Sequence, residues 1–470
     1  MSPSHFVSEI ETILWNAYDV IHGRIYPWEW REGLALFLLK YLSDNPGSHG
    51  VVVPRDCDFD SLYRSQGEAQ LAVRIAQSLQ KIEETNPRKL KGILMSSSSA
   101  ASAEPGLLKD DEFRIFLGSL AQLDLRPVNG VSPAGEVFDH LLARFAEAGH
   151  RVGSFYTPTD VASLLTELVP LDPGDRIYDP SCGSGSLLLE AWKKLRPGTS
   201  LLSGQEMDPT SLALCRLNFL LNGAEAQIEL GDVLDSPLFV EKGQLSKFDV
   251  ILTNPPFGLK WRPSTGAGAK NDPWNRFHRG DPPKTSADYA FLSHVAESLG
   301  QNGRGAILVP QGVLFRSGSE GVIREKLVEE GLIEAVISLP ANLFYGTSIP
   351  VAVLLLQKGR EDRDVLFIDA SNGYSTKRTR SCLRAEDITR ITEAARTFES
   401  IPGFAHRAKR GEIAGQNFNL SVARYVSPCA VPKSSIDELR SEIKALEEDL
   451  AVVRSELSAC IQELGYEGQR

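Results

Sequence analysis

The spacing of apolar and polar positions divides the chain into stretches of different period. From about Pro3 to Leu42 apolar residues recur at helical intervals. "IETILWNAYDVIHG" (10–23) and "EWREGLALFLLKYLSD" (29–44) each present one apolar face, the first closed by Gly23. Similar patterns at "EFRIFLGSLAQLDL" (112–125) and "AGEVFDHLLARFAEAGH" (134–150) predict a helical region over residues 1–148. The small-residue run "KGILMSSSSAASAEPG" (91–106) reads as a flexible loop inside or beside it. From about Arg151 the pattern changes to short β-branched runs, with predicted strands at 176–179, 201–206, 227–232, 248–254, 305–310, 333–340 and 351–358. Helical "SLLLEAWKKL" and "SLALCRLNFLL" separate the first of these. Strands spaced by helices imply an α/β fold with a mostly parallel, doubly wound sheet.

The tail has a third period. Ile436, Ile443, Leu450, Leu457 and Leu464 recur every seven residues, and Leu439, Leu446, Val453 and Cys460 fill the second heptad position. Charged residues crowd the rest, so 431–470 is expected to form a coiled-coil-grade helix that wants a partner helix, in its own chain or another. A chain of 470 residues exceeds one compact core. The expected division is a helical domain at 1–148, a catalytic α/β domain at 149–370, an extension at 371–430 and the heptad helix at 431–470.

Composition narrows the class. Apolar content of 42% and charged content of 24% are ordinary for a globular protein. No apolar run reaches membrane-spanning length, and "MSPSHFVSEIETILW" lacks the layout of a signal peptide. Six scattered cysteines without a CxxC pair suggest neither a zinc site nor a disulfide framework, which fits a reducing cytoplasm. The net charge is −11, whereas a chain that grips nucleic acid alone would carry a basic surplus. Any such role needs a local basic face or a partner.

Two short stretches carry candidate chemistry. "YDPSCGSGSLLLEA" (178–191) follows the first strand and opens a helix; Gly183 and Gly185 permit a tight turn and a close ligand approach. No GxxxxGK[ST] pattern is present, which disfavours a nucleoside-triphosphate loop. Asp179, Glu206 and Asp232 end the first three predicted strands. Singly, each reads as well as a helix cap; together they describe one crevice for an adenosine-type cofactor without phosphates. "TNPPFG" (253–258) then ends the fourth strand, because two prolines cannot donate to a sheet ladder. That stiff turn projects Asn254 and Phe257 from the carboxyl edge, where open α/β sheets bind ligands.

With these motifs in order, the chain resembles class I S-adenosylmethionine-dependent methyltransferases, and NPPF resembles the signature of the N6-adenine DNA enzymes. "GSFYTPTDVASLL", "GDVL", "ADYAFLSHVAESL", "GRGAILVPQGVLFR", "IREKLVEEGLIEAVISLPANLFYGTSIPVAVLLLQK" and "NFNLSVARYV" are similar to the modification subunits of type I restriction–modification systems, over most of residues 1–430. The resemblance implies a Rossmann-like doubly wound fold with an N-terminal helical domain and S-adenosylmethionine as cofactor. It implies that Phe155, Tyr156, Thr157 and Pro158 enclose the methionine end, that Asp179, Ser181, Gly183, Ser184 and Gly185 form the main cofactor loop, that Glu206 holds the ribose, and that Asp232 reads the cofactor's adenine. "SCGSG" stands where many such subunits carry an Ala-rich loop, a small-for-small departure.

On this reading the NPPF corner, Asn254, Pro255, Pro256 and Phe257, meets an adenine flipped out of double-stranded DNA, and Asn254 also borders the cofactor. Asn254 and the Pro255 carbonyl would accept the two N6–H bonds, turning the nitrogen lone pair toward the methyl; an amide orients and stabilises charge but is not a base. Phe257 offers a stacking face. No metal is implied. Lys260, Arg262, Lys270, Arg276 and Arg279, interleaved with Trp261, Trp274 and Phe277 in the long loop after the corner, suit contact with DNA, although a solvated flexible loop would look the same. "KRTR" (377–380) and "HRAKR" (406–410) are smaller basic clusters that touch phosphates or nothing. No stretch reads as a target-recognition domain, so a specificity subunit is expected, with two catalytic subunits per complex by resemblance and room for a restriction or translocase subunit. The rival readings are a protein glutamine methyltransferase, which poses the same amino-group problem but is shorter, an RNA substrate, and an idle scaffold.

Overall fold

Nine strands form one twisted sheet. They are β1 (Arg176–Asp179), β2 (Leu201–Glu206), β3 (Gln227–Leu230), β4 (Phe248–Thr253), β5 (Leu299–Pro310), β6 (Ile333–Ser338), β7 (Val351–Gln357), β8 (Val365–Asp369) and β9 (Ala405–Ala408), in spatial order β9-β8-β6-β7-β5-β4-β1-β2-β3. β1 runs parallel to β2 and β4, β2 to β3, β4 to β5, and β6 to β8. β7 lies antiparallel between β5 and β6, and β9 antiparallel on β8. The computed structural model describes residues 31–94, 109–126, 133–147, 156–195, 200–261, 272–377 and 380–427, with a few isolated positions besides. The expected heptad helix and most of helix 10–23 lie outside the described residues, as does 95–106 of the small-residue run.

The sheet is sandwiched, and residue alternation decides which side each strand residue feeds. Val250, Leu252, Ala306 and Leu308 join one core with α6 (Thr159–Leu168), α7 (Ser186–Lys194) and α11 (Ala385–Thr397). Ile251, Ile307 and Val309 join the opposite core with α9 (Asp288–Ser298) and α10 (Ser319–Glu329). Burial on both faces explains why β7 reads "VAVLLLQ" without polar alternation. Ahead of the sheet lie α1 (Arg31–Asp44), α2 (Phe59–Arg64), α3 (Leu71–Thr85), α4 (Asp110–Leu120) and α5 (Pro133–Glu147). Their core takes in Leu217 and Leu221 of α8 (Pro209–Asn222), so the helical part is welded to the sheet's own helix layer.

Two boundaries differ from the sequence reading. A catalytic domain ending at 370 would cut the sheet, because β9 pairs with β8 and α11 covers the face beside α6. The third strand stops at Leu230, short of Asp232. Successive strands depart to opposite sides of β1, to β2 on one edge and to β4 on the other, and this reversal opens a crevice at their carboxyl ends. Asp179 and Asn254 stand at its two lips.

Candidate active site

The loop after β1 closes on itself through glycine. Gly183 and Gly185 adopt φ of 54° and 82°, the left-handed region. A Cβ at Gly185 would stand 2.8 Å from both Cys215 Sγ and Phe219 Cε2 of α8, so the loop lies flush on that helix. Asn218 Nδ2 donates to the Ser184 carbonyl (3.1 Å), and Ser184 Oγ lies 3.0 Å from Ser186 Oγ.

Asp179 is buried at the tip of β1. Its Oδ1 accepts from Ser181 N (3.0 Å) and from Thr253 Oγ1 (2.7 Å). Ser181 Oγ is 2.9 Å from Thr253 Oγ1; with the threonine proton on Asp179, the serine must donate. Burial raises the Asp179 pKa to about 7, against the pull of the Thr253 and Ser181 bonds and aided by the Glu206 charge. Glu206, at the tip of β2, accepts from Gly183 N (2.9 Å) and Asp208 N (2.8 Å), and burial pushes its pKa up as well. Neither acid forms an ion pair with a cation among the described residues. Two buried carboxyls with spare lone pairs and no counter-ion suit a ligand that brings donors or positive charge.

Asp232 is exposed, two residues past β3, its Oδ1 taken by Leu234 N (2.9 Å) in a turn. That turn is held by Gln205, a fully buried residue the sequence reading passed over. Its amide donates to the Ser236 carbonyl (3.0 Å) and accepts from Leu238 N (3.0 Å). Across the crevice Phe155 lies outside the described residues. Tyr156 is buried with its hydroxyl 3.2 Å from Thr159 Oγ1 and its ring 6.3 Å from that of Tyr345; burial raises its pKa. Pro158 caps the start of α6. Asp160, next on α6, is gripped by Arg380 (3.0 and 3.2 Å) and by Leu383 N (2.8 Å), with Arg380 5.1 Å from the Tyr345 ring centroid.

β4 ends at Thr253, as two following prolines require. The half-buried Asn254 donates from Nδ2 to Thr157 Oγ1 (3.1 Å). Its Oδ1 is buried, and no group among the described residues donates to it. Pro255 is buried and Pro256 partly so. Phe257, half-buried, meets Phe344 edge to face at 5.7 Å and 86°. The corner therefore carries a buried acceptor with no donor among the described residues, one residue beyond the Thr253 that bonds Asp179.

The long loop behaves differently from expectation. Arg276 and Arg279 are 2% and 4% exposed, not available to DNA as placed. Arg276 pairs with Asp272 (2.7 Å) and donates to the Val233 (3.1 Å) and Leu234 (2.9 Å) carbonyls, fastening the loop to the Asp232 turn. Arg279 pairs with Glu297 (2.8 Å) and Glu330 (2.6 Å). Trp261 and Phe277 are buried with Val233, Leu234 and Phe291 in a small core of their own. Lys260 is exposed, while Arg262 and Lys270 lie outside the described residues. In the smaller clusters Arg380 is spent on Asp160, and Arg407 on Asp362 and Asp364.

The chain is similar to known proteins over most of its length. The N-6 DNA Methylase family matches residues 132–433. The type I restriction enzyme MpnII methylase subunit of Mycoplasma pneumoniae is 33% identical over 360 residues, covering 70% of this chain and 66% of that protein, just under two thirds of its length. The HindI methylase subunit of Haemophilus influenzae is 29% identical over 430 residues, 84% of this chain and 93% of that one. The crystal structure of a type I restriction–modification methyltransferase subunit from Streptococcus thermophilus superposes with a TM-score of 0.81 at 30% identity, covering 90% of this chain and all of that one. The α/β sheet is thus shared with a type I restriction–modification methyltransferase subunit, and the chain belongs to the N-6 DNA methylase family.

Proposed function

We propose that the chain transfers a methyl group from S-adenosylmethionine to N6 of adenine in DNA, as the modification subunit of a type I restriction–modification complex in which a specificity subunit chooses the site. One observation carries the reading: Asn254 Oδ1 is a buried acceptor without a donor, on a proline-stiffened corner at the sheet's switch point. A buried unsatisfied acceptor costs about 1–3 kcal/mol, a cost removed when an amino group donates to it.

The residues around the crevice fit the cofactor. Gly183 and Gly185 let it approach the loop backbone; Asp179, Ser181, Ser184 and Glu206 line that side with acceptors, and Tyr156, Thr157 and Pro158 wall the other, with Phe155 expected there too. Asp232 would reach its adenine only if its turn, held by Gln205, faces that end. Bound there, S-adenosylmethionine supplies an electrophilic methyl group.

Asn254 Oδ1 then accepts one N6–H bond of the extruded base and the Pro255 carbonyl the second. Two acceptors in fixed positions orient the amino lone pair and stabilise positive charge as it develops on nitrogen. Phe257, backed by Phe344, limits where the ring can lie. Asn254 takes no proton; the nitrogen sheds it after transfer. Asn254→Ala is expected to abolish transfer to unmethylated genomic DNA while S-adenosylmethionine binding, followed by calorimetry, stays within severalfold of wild type. Transfer surviving in that variant would refute the assignment.

A further inference from the structure

The Asn254 amide is held by one side chain, and that contact gives Thr157 a role apart from the cofactor. We infer that Thr157 is a positioning residue for the transfer step: its hydroxyl anchors the Asn254 amide, and in the orientation found Oδ1 is left to accept from the base. The inference rests on the amino-group transfer proposed above.

Three observations meet here. Asn254 Nδ2 donates to Thr157 Oγ1 at 3.1 Å, and Oδ1 of the same amide is the atom left bare. Thr157 is 8% exposed, so water competes little for its hydroxyl. Both partners sit on stiff segments. Thr157 precedes Pro158 and an α6 start pinned through Asp160 to Arg380 and to Leu383 N. Asn254 lies between Thr253, tied to Asp179, and two prolines. With both backbones held, the freedom that remains to Asn254 is rotation about its Cα–Cβ and Cβ–Cγ bonds, and the Thr157 contact restrains it.

A hydroxyl can accept or donate, so the turned amide would still bond to Thr157 through Oδ1. Its Nδ2 would then face the crevice, two donors would oppose each other, and no adenine amino group could bind. The observed orientation is the productive one. Without the hydroxyl the buried Nδ2 loses its partner, and the amide is free to swing or flip. Substitution should therefore lower the transfer rate at saturating cofactor, over and above any effect Thr157 has on cofactor affinity as part of the crevice wall.

The test uses the full chain purified together with the subunits that associate with it, as Thr157→Val and Thr157→Ser. S-adenosylmethionine affinity is measured by calorimetry and single-turnover transfer on unmethylated genomic DNA. Thr157→Val is expected to slow single-turnover transfer at saturating cofactor about tenfold, the order set by one lost hydrogen bond, a larger change than in cofactor Kd. Thr157→Ser is expected to return the rate to within about threefold, since it restores the acceptor. A wild-type rate for Thr157→Val, or a loss residing wholly in cofactor affinity, overturns the inference while leaving the methyl-transfer reading intact. A wild-type protein that binds cofactor yet leaves DNA adenine unmodified overturns both.

Discussion

Asp179→Asn tests whether the crevice holds a carboxyl against its preference for water. In the fold its pKa stands at about 7, against 3.8 for the free side chain. Between those values the native state binds a proton that the unfolded chain has released, so stability falls as pH rises. The contribution of this carboxyl is fully present below pH 3.8 and is lost as pH rises through about 7. At about 1.36 kcal/mol per pH unit the whole gap is worth roughly 4 kcal/mol, and the stretch from pH 5 to 7, where the slope halves as the group titrates, about 2. Asparagine is isosteric and keeps both observed bonds, because Ser181 N and Thr253 Oγ1 donate to the same oxygen. It does not titrate. Glu206, also pushed up by burial, titrates in both proteins and largely drops out of their difference. Urea unfolding at pH 5, 6, 7 and 8 should therefore show the variant gaining on wild type by about 2 kcal/mol between pH 5 and 7, then levelling. A difference that stays flat over this range would mean Asp179 is ionised in the fold, and the reasoning from burial would be wrong.

Two further substitutions test the loops. Gly185→Ala should cost about 2–5 kcal/mol, the left-handed backbone contributing ~1–2 and the collision with Cys215 and Phe219 ~1–3, read as a lowered unfolding midpoint and weakened cofactor binding; an unchanged midpoint would contradict the flush packing of loop on helix. Arg276→Met leaves Asp272 buried and unpaired, which should destabilise by about 3–5 kcal/mol. Because Arg276 does not face solvent, the salt dependence of DNA binding should keep its slope; a decrease of about 0.9 would instead mark a lost phosphate contact.

What the sequence made legible follows one physical divide. Strands β4, β6 and β7 were readable because each carries a run of buried apolar residues, Val250–Leu252, Ala335–Ile337 and Val351–Leu356. The corner at Asn254 and the loop at Gly183 were readable because proline and glycine declare backbone geometry directly. Other features rest on partners distant in the chain. The amino half of β5, "LGQNGRG", and β9, "AHRA", have no apolar period; they are strands because a neighbour offers a ladder. Arg276 and Arg279 looked like surface charge since burial depends on acids elsewhere, although Asp272, four residues before Arg276, was a local hint. Thr253, Gln205 and Asn218 gave no signal, as a polar residue in a buried element announces neither its partner nor its purpose.

Those two buried arginines also bear on how the proposed enzyme would hold DNA. Counted as a sequence, the stretch after the corner is a basic face that offsets a chain charge of −11. In the fold its described arginines neutralise Asp272, Glu297 and Glu330, and their positive charge is spent inside the protein. Arg380 and Arg407 are likewise matched by acids. Phosphate contacts made through released counterions need unpaired surface cations, and among the described basic residues of this face Lys260 and Lys284 are exposed and outside any ion pair. Fixing the loop has a different consequence: Arg276 ties it to the Val233–Leu234 turn that follows Asp232, so its guanidinium serves the fold of that turn. On the reading proposed above, affinity for DNA would be supplied largely by an associated subunit, and this chain would contribute the geometry that acts once a base has been delivered.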